Sequence, residues 1–290
     1  MSWKLIHKGK VRDIYVNEAL SLIALVATDR VSAFDSVLPV LIKGKGEVLT
    51  SISNFYAIMT SDIPNAYIWD LDIIEAFCAE TGIEQSRVTI QRKTIPLPSE
   101  NIVRGFITGS AWRDYSEKGR REKCGILLPE GLVEGQQFSE PLFGPSTKST
   151  KDTDITFEKM VELYAKAGFS ESVANYVREM SIRLYNRISA YASGKSLIFV
   201  DSKFEFGYEP RTGQILVIDE IGTPDSSRYW MKGLYVPGKK QEGYDKELIR
   251  QNIRSKRQIG IPDCEITIDE QIIAITIERY KQVQRIICGE

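Results

Sequence analysis

L-I-F-V-D-S-K-F-E-F-G, residues 197–207, is the stretch from which the fold is best read. Its apolar residues mark a strand, and a strand turns successive side chains to opposite faces. Phe204 and Phe206 then belong to a buried face, while Asp201, Lys203 and Glu205 share the other. Two carboxylates and an ammonium on one face call for charged groups opposite them. After the turn E-P-R-T-G (209–213), the apolar run I-L-V-I-D-E-I (215–221) signals a β-hairpin. A loop over 210–214 pairs Glu209 with Ile215 and sets Glu205 opposite Asp219. A loop one residue shorter slips the register and turns Asp219 to the other face. We take the longer loop as the expectation. Facing carboxylates repel until a cation joins them, and hard oxygen ligands suit Mg²⁺. On this reading, neutralising one of them leaves the ligand-free protein as stable as before or more so. The plainer alternative is a solvated strand face with an internal ion pair through Lys203.

Outward from the hairpin, 157–167 and 171–191 have helical apolar spacing, with Gly168 and Gly194 as stops. Helices are also expected at 245–258 and 269–288. Toward the N-terminus the chain reads mostly as strands (11–16, 22–28, 66–71 and 87–95) around one helix at 49–60. The segment I-P-L-P-S-E (95–100) carries two prolines and reads as a hinge rather than a central strand, with a strand resuming at 101–107. The expectation is an α+β chain of two lobes, 1–98 and 99–290, with a ligand cleft between them.

Composition narrows the chemistry. The chain of 290 residues contains one histidine, His7, too few for a Ser-His-Asp hydrolase or for most zinc and iron sites. Placed near the terminus, His7 reads as a surface residue. Cys78, Cys124, Cys264 and Cys288 form no Cys-x-x-Cys pair, so zinc and redox motifs have no support. A formal net charge of -1 provides no basic field for nucleic acid. The longest apolar stretch, 20–27, is too short to span a bilayer, and no signal-peptide core is present. The cytoplasm is the expected compartment, and the chemistry falls to carboxylates, lysines and arginines.

Four further motifs are candidates. In H-K-G-K-V-R-D-I-Y (7–15), Gly9 lets the backbone approach a phosphate while Lys10 and Arg12 supply charge; a basic turn into a strand is the alternative. In A-T-D-R-V-S-A-F-D (27–35), Ser32 and Asp35 suit a hydroxylated ligand, or serve as turn and cap residues. R-G-F-I-T-G-S-A-W-R-D-Y (104–115) places Arg104 in a strand before a T-G-S turn that opens a helix, an arrangement that makes an anion site, or simply a capped helix. G-T-P-D-S-S-R-Y-W (222–230) gathers Asp225, Ser226, Ser227 and Arg228 in a proline turn. The polar segment 144–154, with Lys148 and Asp154, is expected to be a mobile loop covering the site.

Taken together, G-K-V-R-D-I-Y, T-D-R-V-S-A-F-D, V-R-G-F-I-T-G-S-A-W, P-S-T-K, D-S-K-F-E-F-G and D-E-I-G-T-P-D-S-S-R-Y-W resemble, in order, the phosphoribosylaminoimidazole-succinocarboxamide synthase (SAICAR synthetase) family. The resemblance implies an antiparallel N-terminal lobe like that of protein kinases and an α/β C-terminal lobe. It also implies ATP-dependent ligation of carboxyaminoimidazole ribotide (CAIR) to L-aspartate by a monomer or homodimer, without nucleic acid or membrane partners. By motif, Gly9, Lys10, Arg12, Glu100 and Lys203 are implied for ATP, with the hinge around Glu100 as the adenine pocket. Glu205 and Asp219 are implied for Mg²⁺, and Arg104, Ser110 and Arg228 for the ribotide phosphate. Ser32 and Asp35 fall near the imidazole, Lys148 and Asp154 in the mobile loop, and Lys203 and Asp35 are the implied catalytic residues. The family often has a histidine before that loop aspartate, where Thr153 stands here. A kinase or a catalytically dead nucleotide-binding module are the competing classes. No H-R-D or D-F-G motif supports the first, and intact Lys203, Glu205 and Asp219 oppose the second.

Overall fold

The computed structural model describes residues 2–34, 36–148, 153–261 and 266–289, and two antiparallel sheets set its architecture. Strands β1 (Lys4–Lys8), β2 (Arg12–Asn17) and β3 (Leu22–Ala27) form a meander, from which β4 (Arg30–Ala33) and β5 (Ser36–Leu41) leave as a hairpin arm. Helix α1 (Lys45–Met59), β6 (Tyr67–Ile68), α2 (Leu71–Thr81) and β7 (Val88–Arg92) complete this part, with sheet order β1-β2-β3-β7-β6. Helix α2 is not among the expected elements, though its signals are ordinary. Asp70 accepts the Ile73 amide as N-cap, and Gly82 ends the helix in the left-handed conformation.

The proline-rich segment yields a two-residue strand, β8 (Ile95–Pro96), and β9 (Ser99–Phe106) follows. Next come α3 (Gly109–Ser116), the short hairpin β10 (Glu122–Lys123) and β11 (Ile126–Leu127), and β12 (Gln137–Thr147). Helices α4 (Phe157–Lys166) and α5 (Glu171–Gly194) lead into β13 (Leu197–Glu209), β14 (Gln214–Ile218) and β15 (Ser227–Met231), then α6 (Glu247–Gln258) and α7 (Glu270–Cys288). The second sheet runs β12-β9-β13-β14, with β15 and β8 also paired to β13. The expected loop at 144–154 is corrected over 144–147, because Gly144 to Thr147 pair with β9, while 149–152 of that expectation lie outside the described residues. Pro141 and Pro145 hid this strand, but β12 is an edge, where a missing N–H costs little.

Phe204 and Phe206 are fully buried, as their alternation requires. They join a core that includes Leu49, Ile52 and Tyr56 of α1, Leu184 and Ile188 of α5, and Tyr280 and Val283 of α7. The N-terminal helix is therefore packed into the core of the C-terminal half. The β4–β5 arm crosses over too, setting Val31 and Ala33 against Ile249 and Ile253 of α6. Burying these apolar side chains stabilises the crossing by about 1.5–3 kcal/mol for each large residue. It leaves a cleft between the two sheets, lined from one side by Arg12, Ile14 and Leu25 and from the other by Ile102 and Lys203.

Candidate active site

The cleft encloses about 850 Å³. Gly9, Lys10, Arg12, Ser32, Glu100, Arg104, Ser110, Lys148, Asp154, Lys203, Glu205, Asp219 and Arg228 all line it. Asp35 lies outside the described residues. His7, read from sequence as a bystander, also lines the cleft.

One end is built by strand register. Asp201 on β13 stands opposite Arg104 on β9 and Arg228 on β15, and cross-strand partners share a face. Nη1 of Arg228 donates to Asp201 Oδ2. Arg104 is buried, with Nη2 3.6 Å from Asp154 Oδ1, and its Nη1 has no hydrogen-bond partner among the described residues. Helix α3 starts at Gly109, as expected, with φ of 58° and the Arg228 guanidinium directly over it. A Cβ at Gly109 would stand 2.6 Å from Arg228 Nη2, so any other residue must displace the guanidinium and also bear a strained positive φ. Two guanidinium groups and Ser110 in the first turn of a helix thus line the same cleft, residue types suited to an anion. Asp154 is oriented by a residue the sequence did not single out, Lys123, whose Nζ lies 2.6 Å from Asp154 Oδ2.

The other end is an alternating ionic chain. Lys203 Nζ donates to Glu100 Oε1 at 2.6 Å and to Glu205 Oε1 at 2.5 Å. Lys148 Nζ lies 2.7 Å from Glu205 Oε2. Burial alone would push the Glu205 carboxyl up, but Lys203 and Lys148 together hold it down at about 2. Arg12 Nη1 donates to Asp219 Oδ1 at 3.0 Å, and its Nη2 pairs with Glu220. Burial raises the Asp219 carboxyl above its ordinary value, against the pull of Arg12 and with the repulsion of Glu205 and Glu220.

Two expectations are corrected here. The hairpin takes the shorter loop, so Glu209 pairs with Gln214 and Glu205 with Ile218. The turn decides it: Gly213 adopts φ of 73° and its N–H donates to the Glu209 carbonyl at 2.9 Å, while Thr212 Oγ1 donates to Glu209 Oε2 at 2.6 Å. Strand alternation would then send Asp219 to the far face. Instead β14 ends at Ile218, and Asp219, at φ of 59°, lines the cleft with Glu205. The second correction concerns charge. Lys203, Lys148 and Arg12 already neutralise these carboxylates, so a metal is not needed to relieve their repulsion.

Among the described residues, no three His, Cys, Asp or Glu side chains are grouped to hold a metal. Two hard carboxylates in a cleft fit Mg²⁺ nonetheless, since it binds through one or two carboxylates plus substrate phosphates. Asp225, part of the 222–230 motif singled out in the sequence, is committed to the scaffold. Its Oδ2 lies 3.0 Å from Lys45 Nζ and 3.3 Å from Lys246 Nζ, and Tyr280 donates to Oδ1 at 2.9 Å. Burial would raise this carboxyl, but the two lysines hold it below its ordinary range.

Asp245, behind Arg228, titrates unusually. Burial pushes its carboxyl up from 3.8 to about 6, against the pull of Arg228 and Arg250. The folded protein thus holds this proton more tightly than the unfolded chain. The stability it contributes is full below the unfolded value and is lost as pH rises through about 6. Asp245→Asn should therefore gain up to about 3 kcal/mol near pH 7.5 and almost nothing near pH 3.5. Melting curves at both pH values check this; an equal gain at both would remove burial of the charge as the cause.

The SAICAR synthetase family model matches residues 5–261. The chain is 41% identical over 289 residues to the phosphoribosylaminoimidazole-succinocarboxamide synthase of Thermodesulfovibrio yellowstonii, covering 98% of this chain and 95% of that protein. It is 37% identical over 295 residues to the same enzyme of Lachnospira eligens, covering 99% and 96%. A solved structure of SAICAR synthase from Saccharomyces cerevisiae complexed with SAICAR superposes with a TM-score of 0.84 at 34% identity, covering 99% of this chain and 95% of that one.

Proposed function

The chain belongs to the SAICAR synthetase family, and from that premise we propose how its cleft divides the work. The reaction is the ATP-dependent ligation of CAIR to L-aspartate, giving SAICAR, ADP and phosphate, in purine biosynthesis. The observation that carries the division is that every described residue of the expected set lines one cleft, with the Arg104–Asp201–Arg228 group and the Lys203–Glu205 ionic chain as separate clusters along it.

A carboxylate is a poor acylating agent, so the CAIR carboxylate first takes the terminal phosphoryl group of ATP. The aspartate amine then attacks the acyl carbon and phosphate leaves. Such a sequence needs positioned cations around crowded anions and no histidine nucleophile. Gly9, Lys10 and Arg12 take the ATP phosphates. Glu100 serves the nucleotide end by fixing Lys203, whose ammonium neutralises charge as the phosphoryl group moves. Glu205 and Asp219 would hold Mg²⁺, which when bound supplies charge neutralisation at the phosphates. Arg104, Ser110 and Arg228 grip the ribotide phosphate, with Ser32 and Asp35 toward the imidazole. Lys148 and Asp154, which line the same cleft, are assigned to substrate binding. We assign residues 1–98 to the N-terminal lobe and 99–290 to the C-terminal lobe, and the working form to a monomer or homodimer in the cytoplasm. Among the described residues, no helix is long and apolar enough to cross a membrane.

The test is phosphate release from ATP with CAIR and L-aspartate supplied singly and together. Release should require both. Full-rate release with CAIR alone would make the protein a kinase or an ATPase instead.

A further inference from the structure

The left-handed backbone that brings Asp219 into the cleft is held from the other sheet. Gln91 on β7 is fully buried, and its amide brackets this one residue: Oε1 accepts the Asp219 N–H at 3.2 Å, and Nε2 donates to the Asp219 carbonyl at 2.9 Å. Tyr67, paired with Gln91 across β6 and β7, donates its hydroxyl to the same carbonyl at 2.6 Å. Ser53 of α1 lies 2.6 Å from that hydroxyl, and its Oγ accepts the Ile221 N–H at 3.0 Å. Side chains thus do at Asp219 what a neighbouring strand does elsewhere in the sheet. Aspartate tolerates positive φ better than most residues, and here three side-chain hydrogen bonds to its N–H and carbonyl hold it there.

We propose that Gln91, backed by Tyr67 and Ser53, is the positioning residue that aims the Asp219 carboxylate at the metal site. The inference rests on Asp219 being a metal ligand. Without the left-handed step, strand alternation turns this carboxylate away from Glu205; with it, the two line the same cleft. Arg12, on the same sheet as Gln91, meets the Asp219 carboxylate. One rigid sheet therefore carries the nucleotide-phosphate cations and also the clamp on the metal carboxylate.

The test uses the full chain with ADP, and Mn²⁺ as the probe, its binding to the enzyme–ADP complex read by electron paramagnetic resonance. Gln91→Met keeps length and burial but removes both hydrogen bonds, and should weaken Mn²⁺ binding by roughly 10–100-fold. Tyr67→Phe removes one donor and should weaken it less than about tenfold. The KM for CAIR should stay within about twofold, because the ribotide end shares no residue with this clamp. Thr89→Val is the control: it lies on the same strand and loses a bond to Asn54 rather than to Asp219, so Mn²⁺ binding should not move. Asp219→Asn separates the two layers of the claim. If it leaves Mn²⁺ binding intact, the metal reading itself fails. If it weakens binding while folded Gln91→Met and Tyr67→Phe do not, the positioning role is overturned. Should Gln91→Met not fold, Tyr67→Phe decides.

Discussion

Glu205→Gln is expected to lower turnover by roughly two orders of magnitude or more while the protein remains folded. The substitution keeps shape and one ligand oxygen but removes a negative charge from the metal position. The opposite strand face, Phe204 and Phe206, is untouched and holds the core together. Stability is a separate question, answered by the structure against the repulsion argument. Glu205 is the shared partner of Lys203 and Lys148, not one of an unrelieved pair. Its loss takes the carboxylate from Lys148 and leaves Lys203 with Glu100 alone. Breaking a fully buried pair costs about 3–5 kcal/mol; both lysines keep some contact with water here, so about 1–3 kcal/mol is the expected loss. Melting with and without Mg-ATP, alongside turnover, reads both effects. Near-normal turnover with undiminished Mg-ATP stabilisation would reduce this strand face to a salt-bridged surface.

Much of this site was legible because its geometry is short-range. The alternation of Asp201, Lys203 and Glu205 follows from strand period alone, and the T-G-S turn announces the start of α3 in the residues that form it. Asp219 was not legible for a related reason. Its face depends on a one-residue choice of loop and then on a backbone step that cancels that choice. The step is enforced by Gln91 and Tyr67, more than a hundred residues away in sequence. Strand β12 was hidden by prolines whose tolerance depends on lying at an edge, which only the assembled sheet defines. Lys123 lay in a stretch with no periodic signal, and its role appears only where β10 meets Asp154. Local chemistry was readable, whereas contacts between distant segments were not.

Arg228→Lys should raise the KM for CAIR by roughly 10–100-fold and leave that for ATP nearly unchanged. A guanidinium offers a rigid fork that meets two phosphate oxygens at once, and a lysine ammonium cannot copy it. Here the fork is fixed on two sides: Asp201 accepts from Nη1, and the Cβ-free surface of Gly109 lies beneath Nη2. Lysine would still find Asp201, so the fold and most of the charge survive while the geometry is lost. Arg104→Lys should act in the same direction, since Arg104 lines the same cleft and stands opposite the Asp201 that holds Arg228. Gly109→Ala offers a third route to the same defect. It leaves every charge in place but drives a methyl into the Arg228 guanidinium and strains the helix start, so it should mimic Arg228→Lys in KM for CAIR. The ATP end is insulated from all three, because Arg12, Lys203 and Glu205 make none of these contacts. If the KM values for CAIR and ATP rise together in these variants, Arg228 acts on the cleft as a whole and does not belong to the ribotide end.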